Sequence, residues 1–342
     1  MEAIILAGGF GTRLRPLTYT RAKSLLPIMN RPMVSYLLDQ LPDRVDTVII
    51  AANYKKNQIE DYIKSLDTNA TIIINDEPKP LGTGGAVKFA ENYLSDEFFV
   101  LNSDIICSLN LSDMINFHHQ HHAVSTISLW PVENVSEFGV VDITNQGKIT
   151  DFIEKPKPVD APSNLINAGA YLLDSSILDY IETGRLVSME KEIFPQIIQK
   201  TDRFYGYQFE GFWMDIGRIK SYIDIHQFLL KQQQEINMVG KHLINKGHIK
   251  ESVLGDDVYI GEGSTVKNSV ILDGAVIKDN VKIDHSVIGE NSTISSKSRL
   301  SWVALGDNEH VAPETISENI AIWTQEIPEE YPKKQIGNVI GE

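Results

Sequence analysis

Set at an offset of 17 residues, the stretch from Ile249 to Val311 falls into register with itself four times. Ile249, Val266, Ile283 and Leu300 make one apolar column, and Leu254, Ile271, Ile288 and Leu305 a second. Ile260, Ile277, Ile294 and Val311 make a third, while Asp256, Asp273, Glu290 and Asp307 make a polar one. A strand advances about 3.3 Å per residue, so short strands broken by Gly, Asp or Asn every five or six residues can coil three to a triangular rung. Stacked rungs bury the three apolar columns inside, and four columns recurring in step are hard to obtain by chance.

At 342 residues the chain is too long for one ordinary core. Ahead of the repeat, β-branched runs at Ala3–Ala7, Thr47–Ala52, Ala70–Ile74 and Phe98–Leu101 alternate with helix-period stretches at Met33–Leu41 and Lys56–Leu66. That alternation predicts an α/β domain around a mostly parallel sheet. From Thr126 to Tyr171 the strands crowd together, and Gly147 marks a hairpin turn, so antiparallel strands are expected to make the sheet mixed. Apolar positions from Ile219 to Ile236 predict a helix ending before Gly240. The expected domains are therefore 1–240, a coil over 241–312, and a charged tail, 313–342, that caps the last rung.

Composition narrows the partners. A net charge of −15 opposes nucleic acid and anionic membrane surfaces. The single cysteine, Cys107, excludes an internal disulfide and fits a reducing compartment. No apolar run approaches the length of about 20 residues that a membrane helix needs, and no leader sequence is evident, so a cytoplasmic protein is expected. The run His118-His119-Gln120-His121-His122 has no ordered carboxylate beside it and is read as a helix end or turn rather than a metal site.

Directly after the first strand comes Leu6-Ala7-Gly8-Gly9-Phe10-Gly11-Thr12-Arg13-Leu14-Arg15-Pro16. Glycines there let amide groups approach phosphate oxygens, and arginine adds charge. The spacing matches neither G-x-G-x-x-G nor G-x-x-x-x-G-K-[ST]. Ten residues beyond Arg13, Lys23 offers a mobile cation suited to a phosphate whose geometry changes. Asp104 ends the strand Phe98–Leu101, where open α/β sheets place ligands.

Together these segments resemble the signature of the nucleotidyl-sugar pyrophosphorylases, although Ser24 stands where that family often has Pro. The coil resembles left-handed β-helices built of hexapeptide repeats, and its handedness is inferred from that resemblance alone. What the resemblance implies for the site follows motif by motif. Leu6, Ala7, Gly8, Gly9, Gly11, Thr12 and Arg13, with Pro80, Gly82 and Thr83 of the segment Glu77–Ala86, would bind the nucleoside triphosphate. Gly139, Glu154, Lys155 and Asn167 would hold the sugar and its phosphate. Asp104 in Asn-Ser-Asp, where the family usually has Asn-Gly-Asp, and Asp215 in Phe-Trp-Met-Asp-Ile-Gly would carry Mg²⁺. Arg13, Lys23, Asp104 and Asp215 would carry the reaction. Within the family these motifs look most like mannose-1-phosphate guanylyltransferases, which join mannose-1-phosphate to GTP. Glucose-1-phosphate with dTTP or UTP is the alternative. A regulatory subunit without activity, or an acetyltransferase using His285 or His310 of the coil, are readings of other classes. Assembly into a homo-oligomer is the expected role of the coil.

Overall fold

A computed structural model describes residues 1–329. They divide into two compact units, one of residues 1–9 and 36–213, the other of residues 10–35 and 214 onward. By contacts the division falls inside the glycine-rich loop and again after Trp213.

The first unit is built on a mixed sheet. Four strands run parallel: β1 (Glu2–Leu6), β2 (Thr47–Ala52), β3 (Thr71–Asp76) and β4 (Glu97–Asn102). β1 lies between β2 and β4, and β3 flanks β2. The chain therefore works outward on one side of β1 and then returns to its other side, which makes the gap between the ends of β1 and β4 a switch point. The later strands are β5 (Ser125–Pro131), β6 (Gly139–Ile143), β7 (Ile149–Glu154), β8 (Leu165–Asp174) and β9 (Phe204–Gln208). β8 pairs antiparallel with β4, β5 and β6, and β9 joins β5. The β6–β7 hairpin turns at Gly147, whose φ of +79° suits glycine.

Helix α1 (Lys56–Lys64) follows β2, α2 (Gly82–Phe89) follows β3, and α3 (Leu111–Gln120) starts on an Asn110 cap. Phe152, Tyr171 and Phe204 surround Phe194 at centroid distances of 5.1 to 5.3 Å, giving the sheet an aromatic centre. The histidine run closes α3 as the sequence indicates, but it does have a carboxylate beside it, His119 Nε2 lying 2.6 Å from Glu97 Oε2, and one member is buried. His118 is buried and its Nδ1 lies 2.8 Å from Thr126 Oγ1, so burial pushes its pKa down to about 4.

The second unit contains the coil, a β-helix of stacked parallel strands. Its register reproduces the repeat residue for residue: Ile249 pairs with Val266, Val266 with Ile283, and Ile283 with Leu300. Every member of the three apolar columns is buried except Ile249, which is half-buried. Three further columns turn the corners in left-handed backbone. One is Glu251, Asn268, His285 and Trp302; a second is Asp257, Gly274, Asn291 and Asn308; the third is Gly263, Asn280, Lys297 and Glu314. The coil does not stop at residue 312. The strand Ile316–Ile322 pairs along Arg299–Leu305, so the start of the expected tail is itself rung structure. Residues 330–342 lie outside the described residues.

Helix α4 (Ile219–Gln232) ends earlier than its sequence pattern predicts. Gln234 takes φ 58°, and Glu235 N–H donates to Leu230 O at 2.9 Å, a left-handed stop without glycine. This frees Met238–Val239 to pair with Val253–Leu254 as the opening strand of the coil. Ile236, counted as a helix position from the sequence, is left exposed. Among the described residues no helix is long and apolar enough to cross a membrane.

Candidate active site

In the first unit the predicted residues collect along the carboxyl ends of the parallel strands. Gly8 and Gly9 follow β1, Asp104 follows β4, and the Pro80–Thr83 segment follows β3. Gly8 and Asp104 thus flank the switch point, since Leu6 and Asn102 are register partners. Ser103, in place of glycine, is buried and its N–H donates to Leu6 O at 3.3 Å, which ties the Asp104 turn to the end of β1. Ala7 N–H donates to Ala51 O at 2.9 Å, fixing where the loop leaves the sheet. A side chain on Gly9 would meet nothing within 4 Å, so the space above it is open, and one on Gly8 would make only ordinary contacts with Asn53 and Ala51. Close packing is not what makes these two positions glycine.

The Gly82–Gly85 segment behaves otherwise. Val187 runs across it, taking the N–H groups of Gly84 and Gly85 on its carbonyl at 2.9 and 3.2 Å. A Cβ on Gly82 would lie 2.5 Å from that carbonyl. Thr83 is also committed: its hydroxyl accepts from Met189 N–H at 2.9 Å and donates to Glu190 at 2.8 Å. Those groups hold the loop's shape, and Pro80 and Gly82 are exposed.

Glu190 is the residue sequence reasoning missed. It sits in a π-helical turn (Met189–Ile193) and accepts from Thr83, from Ser188 at 2.6 Å and from Tyr171 at 3.2 Å. Asn167 Nδ2 donates to the same Tyr171 oxygen at 2.8 Å. Burial, and then the charge of Glu190, raise the Glu154 pKa, with Lys155 and Lys191 opposing. Glu154, Lys155, Asn167, Tyr171 and Glu190 therefore form one polar patch. Its only advance signal is a carboxylate set between the buried Met189 and Ile193. Lys155 stands at the rim, 3.6 Å from Glu154 and in left-handed backbone at φ 52°. Gly139 is needed inside the protein: a side chain there would meet the Phe152 ring and come 2.9 Å from Glu154 Oε2.

The second unit holds Gly11, Thr12, Arg13, Lys23 and Asp215. Gly11 is left-handed at φ +63°, and a Cβ would lie 2.7 Å from Thr18 and 3.2 Å from Lys23 Cβ. Its carbonyl accepts from Leu14 N–H and from Thr18 Oγ1, both at 2.9 Å. The turn thereby sets the cradle against the lysine. Thr12 and Arg13 are exposed and Lys23 is half-buried. Gly217 marks where Arg13 and Asp215 converge. A Cβ built there would fall 2.8 Å from Arg13 Nη2 and 3.1 Å from both Asp215 oxygens. Cation and carboxylate thus both lie beside Gly217, where a side chain would have to push the mobile end of Arg13 aside. In the coil, His285 lies at a corner, stacked on Trp302 at 4.6 Å, rather than toward the interior beside Ile283.

Residues 2–232 match the nucleotidyl transferase family model. The chain belongs to that family. Residues 244–336 match the GMPPB C-terminal domain, which accounts for the coil. Among similar members, a probable mannose-1-phosphate guanylyltransferase 2 of Arabidopsis thaliana is 40% identical over 282 residues, covering 79% of this chain and 76% of its own length. A mannose-1-phosphate guanylyltransferase catalytic subunit beta of Drosophila melanogaster is 37% identical, with 77% and 71% covered. The crystal structure of HddC from Yersinia pseudotuberculosis superposes at a TM-score of 0.56 with 29% identity, over 67% of this chain and 99% of HddC. The same protein has been solved with GMP-PN at the same score. The chain is accordingly a transferase of nucleotidyl groups.

Proposed function

We propose that this nucleotidyltransferase joins mannose-1-phosphate to GTP, giving GDP-mannose and pyrophosphate. The convergence of Arg13 and Asp215 on Gly217 carries the reading, because it pairs a phosphate-binding fork with a carboxylate suited to a hard cation. The relatives' guanylyltransferase names support the choice of base and sugar.

In the reaction, an oxygen of the sugar phosphate attacks the α-phosphorus. The bond from that phosphorus to its bridging oxygen breaks, and pyrophosphate leaves with the electron pair. Both substrates are anions, and the nucleophile is already ionised, so no general base is required. Acceleration comes from positioning and from neutralised charge. Gly8, Gly9, Gly11, Thr12 and Arg13 hold the leaving phosphates, and Lys23 offsets charge at the α-phosphate. Lys155 aligns the attacking phosphate while Glu154 and Asn167 hold the sugar hydroxyls. Asp104 and Asp215 offer the oxygen-only donors that Mg²⁺ takes and would hold it. Bound there, the ion lowers the repulsion between the two anions. A cytoplasmic homo-oligomer remains the proposed setting.

The test is a grid of the four common nucleoside triphosphates against mannose-, glucose- and N-acetylglucosamine-1-phosphate, scored for pyrophosphate. GTP with mannose-1-phosphate should turn over fastest. A preference for dTTP or UTP with the glucose ester would replace this assignment with the alternative.

A further inference from the structure

The segment Phe10–Ser35 carries Arg13 and Lys23 yet has little regular structure of its own, its helices being three or four residues long. Ordering such a stretch costs about 1–2 kcal/mol per residue in backbone entropy alone, so something outside it must fix its shape. The coil, which shares its unit, supplies the contacts. Thr20 Oγ1 donates to Asp307 Oδ2 at 2.5 Å. Arg21 Nη2 pairs with Glu290 and lies 3.8 Å from Asp307. The Tyr19 ring packs on Trp323 at 5.1 Å, and Asn30 Nδ2 donates to Leu254 O at 2.7 Å.

The polar column shows that these contacts are a departure from the repeat. Asp256 Oδ1 accepts from Lys241 N–H, Asp273 Oδ1 from Asp256 N–H, and Asp307 Oδ1 from Glu290 N–H, at 2.7 to 2.8 Å. The last two are rung-to-rung bonds between residues 17 apart. Glu290 alone among the four accepts no such amide within the described residues. It is also the member with an extra methylene, and its carboxylate is turned to Arg21 instead. Asp307 serves both partners, one oxygen for the rung below and the other for Thr20.

Position links this anchor to the chemistry. Lys23 lies two residues beyond Arg21, and its Cβ packs where Gly11 has none. Helix α4, which leads away from Asp215 and Gly217, is held on the same frame. Tyr222 OH donates to Pro27 O at 2.5 Å and Gln227 Nε2 to Glu251 O at 2.7 Å.

We propose that the β-helix is the positioning frame of the phosphate chemistry, with Arg21, Glu290 and Asp307 as positioning residues that hold the Arg13–Lys23 loop ready for the triphosphate. The inference rests on the transferase reading above. Loosening the anchor should weaken triphosphate binding and leave the sugar phosphate nearly untouched, since none of the predicted sugar-site residues lies in this unit.

The experiment compares wild type with Arg21→Ala, Arg21→Lys, Arg21→Glu and the charge-swapped double variant Arg21→Glu/Glu290→Arg, all as full-length protein. Steady-state KM for each substrate, kcat and the melting temperature are measured. Arg21→Ala should raise KM for the triphosphate about tenfold, move KM for mannose-1-phosphate less than twofold, and melt within about 2 °C of wild type. Arg21→Lys should recover part of the loss, and the double variant should recover at least threefold over Arg21→Glu. Equal changes in both KM values, or no rescue by the double variant, would overturn the proposal, as would a triphosphate KM unchanged in Arg21→Ala. An inactive but folded wild type would instead count against the transferase reading itself.

Discussion

The coil and the sheet unit bury their polar groups by opposite means. In the coil a column of buried serines bonds to the same position one rung away. Ser269 N–H donates to Ser252 Oγ, Ser286 N–H to Ser269 Oγ, and Val303 N–H to Ser286 Oγ, at 3.0 to 3.2 Å. In the sheet unit the partners come from remote stretches of chain: Thr83 with Glu190, and Ser128 with Ala170. Repetition makes one environment stand for all its copies, whereas a site assembled from distant strands has no copy to check against. The coil can therefore be read from a period, and the site only from its chemistry.

The largest effect that could break this contrast is catalytic. Asp104→Ala should lower turnover by about a thousandfold, or roughly 4 kcal/mol, because it removes a charge-bearing oxygen donor at the reacting phosphate. Its melting temperature should stay near wild type, since Asp104 is in a turn and contributes no core volume. Full turnover in that variant would remove Asp104 from the site.

Acid should strike both units alike. His118 in the sheet unit and His226 in the coil unit are buried, and desolvation pushes each from 6.5 down to about 4. Between those values the unfolded chain binds protons that the native chain refuses. Each histidine's contribution is therefore complete above about pH 6.5 and falls away as pH drops toward 4, on the order of 3 kcal/mol apiece. The raised carboxyls of Glu77, Glu154 and Glu290 have the opposite sign, because the native chain takes up their protons first, and they offset the low end of that window. Urea unfolding at pH 7 and pH 5 should show the loss. Equal stability at the two values would contradict it.

A smaller effect sharpens the comparison. Ser269→Ala and Ser286→Ala each orphan one rung amide and should cost about 1–3 kcal/mol, the same for both within about 0.5 kcal/mol. Thr83→Val removes both bonds of its hydroxyl, to Met189 and to Glu190, and should cost about 1–2 kcal/mol while raising the nucleotide KM less than threefold. Denaturant titrations and KM measurements check both statements. A tenfold rise in the nucleotide KM would show that Thr83 serves the ligand directly.

The apolar columns, the βαβ alternation and the Gly147 hairpin were legible because each is a local period or a turn with one chemical solution. The serine column escaped notice because polar residues inside a coil look like surface until the rung bonds are drawn. Glu190 escaped because its partners, Thr83 and Tyr171, are distant in sequence. The glycines of the loops were legible as glycines but not as to purpose. Gly11 and Gly82 answer to neighbouring protein atoms, whereas Gly9 faces open space. Nor could the contiguous motif Leu6–Arg13 disclose that its halves belong to different units, since Thr20 and Arg21 find their partners nearly 300 residues away.

Direct attack of the sugar phosphate on the α-phosphorus is the claim beneath all of this. Mannose-1-phosphate labelled with oxygen-18 in its phosphate, incubated with GTP and the enzyme, tests it in one mass spectrum. The label should appear entirely in GDP-mannose, with pyrophosphate unlabelled and equal in amount. Label in the released pyrophosphate, or release without a nucleotide-sugar, would contradict the mechanism.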